Sequence, residues 1–266
     1  MTAETRGAQP GPVRPKAKDV LVVLLSHQLP SDLERTMETW RSVVSADSLL
    51  LAYGGASSNF SKIDFEQKVF ISDPRLRLRD QQREHQSWEG VVQAANDFLQ
   101  NSAHQYLYLV EYDHIPLRGD LLDRLKERLL TEQADVIAHH LHRIDGTSSA
   151  HYLYHKNEGR FHDYFARISK RDEKGVILSM LGTGSFWKRK AFKAVAACEE
   201  PFPIYVELYL PTLAHHLGFR LRDLTDQNRF VMHLGDRGSE IEEARRQGAW
   251  TLHPVKTLPA SFVRPL

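Results

Sequence analysis

Six consecutive apolar residues, Val20 to Leu25, constrain this chain more than any other feature. They are β-branched residues and leucines without the polar alternation of a half-solvated strand, so they read as a strand covered on both faces. A parallel sheet with helices on each side provides that environment. The run is far too short to cross a bilayer.

The next hundred residues repeat the strand-and-helix theme. Ser31 and Glu34 have capping-box spacing, and Leu33, Met37, Trp40 and Val44 then line one face of a predicted helix. Leu49 to Tyr53 reads as a second strand ended by Gly54-Gly55, and Val69 to Ile71 as a third ended by Asp73-Pro74. The stripe Trp88, Val91, Val92, Ala95, Phe98 and Leu99 marks the clearest helix. Tyr106 to Val110 is a fourth strand leading into Glu111, Asp120 caps a leucine-rich helix, and Val136 to Ala138 is a short fifth strand. The alternation predicts the α/β class: one Rossmann-like domain with a mostly parallel central sheet flanked by helices. After residue 139 the regularity weakens. A helix from Lys190 to Ala197 and another ending at Gly218 are expected, the latter restricted by Pro211 unless that residue lies in the first turn.

With 266 residues, 41% of them apolar, the chain can bury one sizeable core without a second domain. Residues 1–18 read as a disordered leader lacking an apolar signal-peptide region, 19–256 as the domain, and 257–266 as a tail. A net charge of +1 supplies no overall field for nucleic acid. The single cysteine, Cys198, permits no internal disulfide, so a reducing, cytoplasmic location is expected. No transmembrane segment is expected, although contact with a lipid-linked acceptor at a membrane surface stays compatible with the sequence.

Ligands of open α/β sheets bind beyond the carboxyl ends of the strands, where Glu111-Tyr112-Asp113-His114 follows strand four. A period of two puts Glu111 and Asp113 on one face, so two hard oxygen donors could share a divalent cation, with His114 turned away. The alternative is an acidic strand end that is solvated or paired with Arg118.

This layout resembles the GT-A glycosyltransferases, especially family 2, over roughly Asp19 to Lys256. The resemblance implies a GT-A-like domain with a nucleotide-binding half (19–138) and an acceptor half (139–256). It implies a nucleotide-diphospho-sugar donor, a saccharide or other hydroxyl acceptor, and Mn2+ or Mg2+. Glu111-Tyr112-Asp113 looks like a variant of the family's Asp-x-Asp metal motif, and His253 resembles the late histidine that completes the metal sphere. Gly182 to Trp187 is similar to the family's glycine-containing loop, where Gly182 and Gly184 would let backbone approach the donor sugar or acceptor. Glu207 stands where inverting members carry the general base. The family usually shows Glu-Asp there, and this chain has Glu207-Leu208. Ser26 and His27, at the end of strand one, and Tyr53, at the end of strand two, occupy nucleotide positions, with Tyr53 placed to stack on a base. Strand two lacks the family's frequent acid, so uridine is not implied. Arg79 and Arg83, with Asp80 between them, would fork onto diphosphate oxygens, and Lys256 would meet a phosphate as a point charge.

Fourteen histidines support a rival reading. His139-His140-Leu141-His142, with Asp145 and His151, suggests a metal-dependent hydrolase in which His140 and His142 share a strand face. A GT-A-like protein that only binds is the third alternative. Tyr152, Tyr154, His155, Phe161, Tyr164 and Phe165 would form either an aromatic shelf for a sugar ring or a small core.

Overall fold

The computed structural model describes residues 18–72, 84–198, 204–259, 262 and 265, with side chains described outside 84–88. Arg79, Asp80, Arg83 and the Asp73-Pro74 stop lie outside the described residues, as does the Trp88 side chain. Eleven strands are formed by these residues: β1 (Val20–Ser26), β2 (Leu49–Tyr53), β3 (Lys68–Phe70), β4 (Tyr106–Glu111), β5 (Ile115–Pro116), β6 (Val136–Ala138), β7 (His142–Arg143), β8 (Leu178–Ser179), β9 (Ser185–Lys188), β10 (Leu221–Asp223) and β11 (Thr251–Leu252).

Seven of them form one sheet in the order β10-β6-β9-β4-β1-β2-β3. Only β9 runs antiparallel, to β4 on one side and β6 on the other. The other pairings are parallel. The chain therefore adopts the expected α/β class, with a mostly parallel central sheet flanked by helices.

The first apolar run explains itself here. Leu21, Val23 and Leu25 enter one core with Val91, Ala95 and Leu99 of the helix Glu84–Gln100. Val20, Val22 and Leu24 enter the opposite core with Leu33, Met37 and Trp40 of the helix Pro30–Arg41. Every side chain of β1 is buried, and each large one contributes about 1.5–3 kcal/mol of transfer free energy, which is why no polar alternation is tolerated. β4 divides in the same way, Leu107 and Leu109 against Tyr108 and Val110.

Three local expectations need correction. The first helix opens with Pro30 at its start and has no side-chain cap; Ser31 lies inside it, because the fixed φ of proline already sets the helical start. Asp120 makes no cap hydrogen bond and instead pairs with Arg118 and Arg124 at 3.0 and 2.9 Å. Pro211 sits inside the helix Val206–His216 rather than in its first turn. No helix among the described residues is long and apolar enough to cross a membrane.

Candidate metal centre

Chain geometry beyond β4 brings distant residues together. Glu111 ends the strand, a turn closes with His114 N–H donating to Glu111 O at 3.0 Å, and β5 then pairs with β11, Leu252 opposite Ile115. A small apolar cluster including Ile115, Leu117, Phe230, Leu252 and Val255 holds this pair in place. The Val255 N–H donates to Asp113 O at 2.8 Å, which sets His253 and Lys256 beside the acidic turn.

Glu111, Asp113 and His253 form the single group of metal-capable donors found among the described residues, with their ligand atoms within 4.8 Å of one another. His253 Nδ1 donates to the Met232 carbonyl at 2.7 Å. A carbonyl only accepts, so Nδ1 carries a proton and Nε2 is the nitrogen that faces the carboxylates. Nε2 lies 3.3 Å from Asp113 Oδ1 and 3.9 Å from Glu111 Oε2. Asp113 is almost fully buried, and its Oδ1 has no hydrogen-bond partner. Oδ1 and Nε2 thus face each other across 3.3 Å, where a shared proton or a shared cation would satisfy both. Two ligands about 2.1 Å from one ion, at angles of about 90–120°, stand about 3.0–3.6 Å apart, so the 3.3 Å between His253 and Asp113 fits a shared cation, while Glu111 at 3.9 Å would have to move slightly inward.

The two carboxyls are electrostatically unequal. At Asp113 burial works to raise the pKa, but His253 and Lys256 outweigh it and the net shift is downward. Glu111 is pushed up to about 7 by burial and by the Asp113 charge, with His253 offsetting part of this. Lys256 Nζ donates to Asp113 Oδ2, and although burial opposes its charge, the Asp113 carboxylate raises its pKa.

A third acid is delivered by the glycine loop. Gly182 N–H donates to Glu207 Oε1 at 3.1 Å, Thr183 Oγ1 accepts from Glu111 N–H at 2.8 Å, and Gly184 N–H donates to Leu109 O at 2.8 Å. Three successive residues therefore tie the Glu207 carboxylate to the end of β4. Pro211 contributes through what it lacks. Having no N–H, it leaves the Glu207 carbonyl four residues back without a helical donor, and Met180 N–H fills that place at 3.0 Å. Glu207 Oε2 lies 3.4 Å from His151 Nδ1. Burial raises the Glu207 pKa, the Gly182 hydrogen bond opposing it in part, while burial lowers that of His151.

Other expected positions fall differently. Ser26 is buried at the end of β1, and exposed His27 sets its ring edge-on to Tyr112 at 4.8 Å, at the same mouth. Tyr53 is fully buried: its hydroxyl donates to Gln28 O at 2.9 Å and its ring stacks on Phe60 at 6.1 Å, so it presents no face to a base. Gly184 has φ +80°, and a Cβ there would come within 2.5 Å of His114 and 2.8 Å of His139. Its missing side chain accommodates the buried imidazoles of His114 and His139. Phe161, Tyr164 and Phe165 belong to the main core, whereas Tyr154 remains 47% exposed beside Tyr205 and so is the part of the aromatic segment still open to a ligand.

The histidine-rich run forms no metal group among the described residues. β6 ends at Ala138 and His140 has φ +53°, so the two-residue strand period does not reach His140 and His142. His140 Nε2 donates to Val231 O at 2.5 Å, and His142 Nδ1 to His140 O at 2.6 Å. Met232, the hydrogen bond from Glu111 N–H to Thr183, the place of His151 beside Glu207 and the role of Pro211 escaped sequence reasoning. The missing proline N–H was a signal for the free Glu207 carbonyl alone.

No family model matches the chain, and no curated protein does. Among solved structures it is similar to bifunctional IspDF from Campylobacter jejuni, at 12% identity and TM-score 0.41 over 77% of this chain and 49% of that one. It is similar to core-mannan synthase A from Aspergillus fumigatus in its Mn/GDP form, at 9% identity and TM-score 0.41 over 79% and 73% of the two chains. It is also similar to a mannosyltransferase from Pyrobaculum calidifontis in complex with GDP-Man and Mn2+, at 10% identity and TM-score 0.42 over 81% and 58%. The chain thus spans about half the length of the first of these. Such distant likenesses assign neither substrate nor activity to it.

Proposed function

We propose that the chain is a metal-dependent glycosyltransferase that moves a sugar from a nucleotide-diphospho-sugar to a hydroxyl acceptor. The observation that carries this reading is the buried Asp113 Oδ1, without a hydrogen-bond partner, facing His253 Nε2, with the Glu207 carboxylate tied alongside through Gly182 and Thr183. Glu111, Asp113 and His253 would hold Mn2+ or Mg2+, and the imidazole favours Mn2+, since Mg2+ prefers oxygen ligands. A cation bound there neutralises charge that builds on a departing nucleoside diphosphate.

The remaining roles belong to side chains of this protein. Glu207 has Oε1 held by Gly182, leaving Oε2 to accept the proton of an acceptor hydroxyl, and its raised pKa moves it toward the working range of a general base. Attack opposite the leaving group in one displacement then inverts the anomeric centre. Ser26 and His27 border the donor side of the mouth, and Lys256 offers a point charge to phosphate at its rim. Tyr154, near His151, belongs to the acceptor side, where an exposed ring suits the apolar face of a saccharide.

The test is calorimetric titration with UDP, GDP, CDP and dTDP, with and without Mn2+, on the native protein and on Asp113→Ala. Manganese-dependent binding of one diphosphate that disappears in Asp113→Ala supports the reading and names the donor nucleotide for an acceptor screen. Absence of binding to all four sinks it. Retention of anomeric configuration in the product would remove Glu207 from its role.

A further inference from the structure

A cavity of about 360 Å³ opens along the outer edge of β10, at the end of the sheet. Arg171, Arg220 and Arg222 line it, and Leu141, Leu178 and Phe219 contribute its apolar walls. Several arginines elsewhere, Arg128, Arg143, Arg237 and Arg246 among them, pair with carboxylates, whereas Arg35, Arg189 and Arg229 donate to backbone carbonyls. Among the described residues, none of the three cavity arginines has a carboxylate in ion-pair contact, and no acid lines the cavity. Asp135 accepts the Arg220 backbone N–H at 3.0 Å and pairs with Lys188, so its charge acts on Arg220 without an ion pair to the guanidinium. Glu173 is likewise taken by Arg143.

The guanidiniums are also held in place. Arg171 donates from Nε to His215 O at 3.1 Å and from Nη2 to Phe219 O at 2.7 Å, closing the end of the helix Val206–His216. Arg220 and Arg222 are exposed, and each makes one side-chain hydrogen bond, to Gln133 Oε1 and Leu221 O respectively, both at 3.2 Å. The local field is positive: His215 in the cavity wall is pushed down to about 4 by burial first, then by His216, Arg171 and Arg143, with Glu173 opposing.

We infer that this cavity binds a small phosphorylated molecule, its phosphoryl group on Arg171, Arg220 and Arg222 and its organic body against Leu141, Leu178 and Phe219. Three guanidiniums without an ion-pair partner match a phosphate monoester better than a carboxylate, because a monoester carries about −1.5 to −2 charge near neutral pH and offers three acceptor oxygens. The volume is that of a pocket for a compact organic ligand and exceeds what a bare ion fills. This inference does not depend on the metal centre.

The experiment is calorimetric titration of the whole protein, in excess EDTA, with glucose 6-phosphate, inorganic phosphate and glucose. Saturable binding of glucose 6-phosphate, weaker binding of inorganic phosphate and none of glucose are expected. Arg220→Gln and Arg222→Gln should each weaken the phosphosugar about tenfold, the loss of one charge-assisted contact, while Asp113→Ala leaves it unchanged. Four results would overturn the inference: no saturable binding of glucose 6-phosphate, affinity that survives both arginine substitutions, inorganic phosphate binding as tightly as the phosphosugar, or loss of binding in Asp113→Ala. The last would move the phosphate to the metal centre.

Discussion

His253 and His114 lie one ring apart, with centroids 5.6 Å from each other, yet they inhabit different chemistry. His253 donates Nδ1–H to Met232 O and turns Nε2 toward two carboxylates. His114 is fully buried, sets Nε2 3.2 Å from the Tyr108 hydroxyl, and leaves Nδ1 with no hydrogen-bond partner. Burial lowers its pKa well below the usual histidine range. Residue type therefore says little; what faces each nitrogen separates a ligand from a packing group.

The largest effect that sharpens this contrast concerns Glu207, which lies outside the proposed ligand set. Glu207→Gln should slow sugar transfer about 10³-fold and leave Mn2+ affinity nearly unchanged, checked by initial rates and calorimetry. A loss of metal binding in this variant would move Glu207 into the ligand set. Next comes His253→Ala, expected to weaken Mn2+ about 100-fold, whereas His114→Phe should change it by no more than about twofold. Equal losses in the two variants would erase the distinction between the rings.

A smaller effect arises from protonation. Glu111, with a pKa of about 7, must lose its proton to bind a cation, so Mn2+ affinity should fall about tenfold as pH drops from about 8 to about 6. Titrations across that range check the sign; affinity rising toward acid would contradict it. Last, Gly184→Ala combines a left-handed backbone with contact on His114 and His139 and should cost about 1–3 kcal/mol in denaturant unfolding. Unchanged stability would mean that the buried imidazoles yield easily.

The first half of the fold was legible because its signals are local. The unbroken runs of β1 and β4 and the stripes through Leu33–Met37–Trp40 and Val91–Ala95–Leu99 show in a few turns of chain what they bury. Asp113 and Glu111 were legible as well, since a strand end is a position one can read. β9 was not: four residues after a glycine loop give no hint that they enter the sheet antiparallel between β4 and β6. Tyr53 misled because a strand-end aromatic looks solvent-facing until Gly55, whose Cβ would come within 2.3 Å of the Tyr53 hydroxyl, shows the ring folded inward. Thr183 meets Glu111 across 72 residues of sequence, and Met180 fills a vacancy left by Pro211, links that exist only after folding.

The most direct measurement is electron paramagnetic resonance of free Mn2+ during titration of the native protein and of Asp113→Ala, without nucleotide. A metal centre at Glu111, Asp113 and His253 predicts saturable uptake of one ion per chain by the native protein and its loss in the variant. Equal uptake by both proteins, or none by the native one, would contradict it.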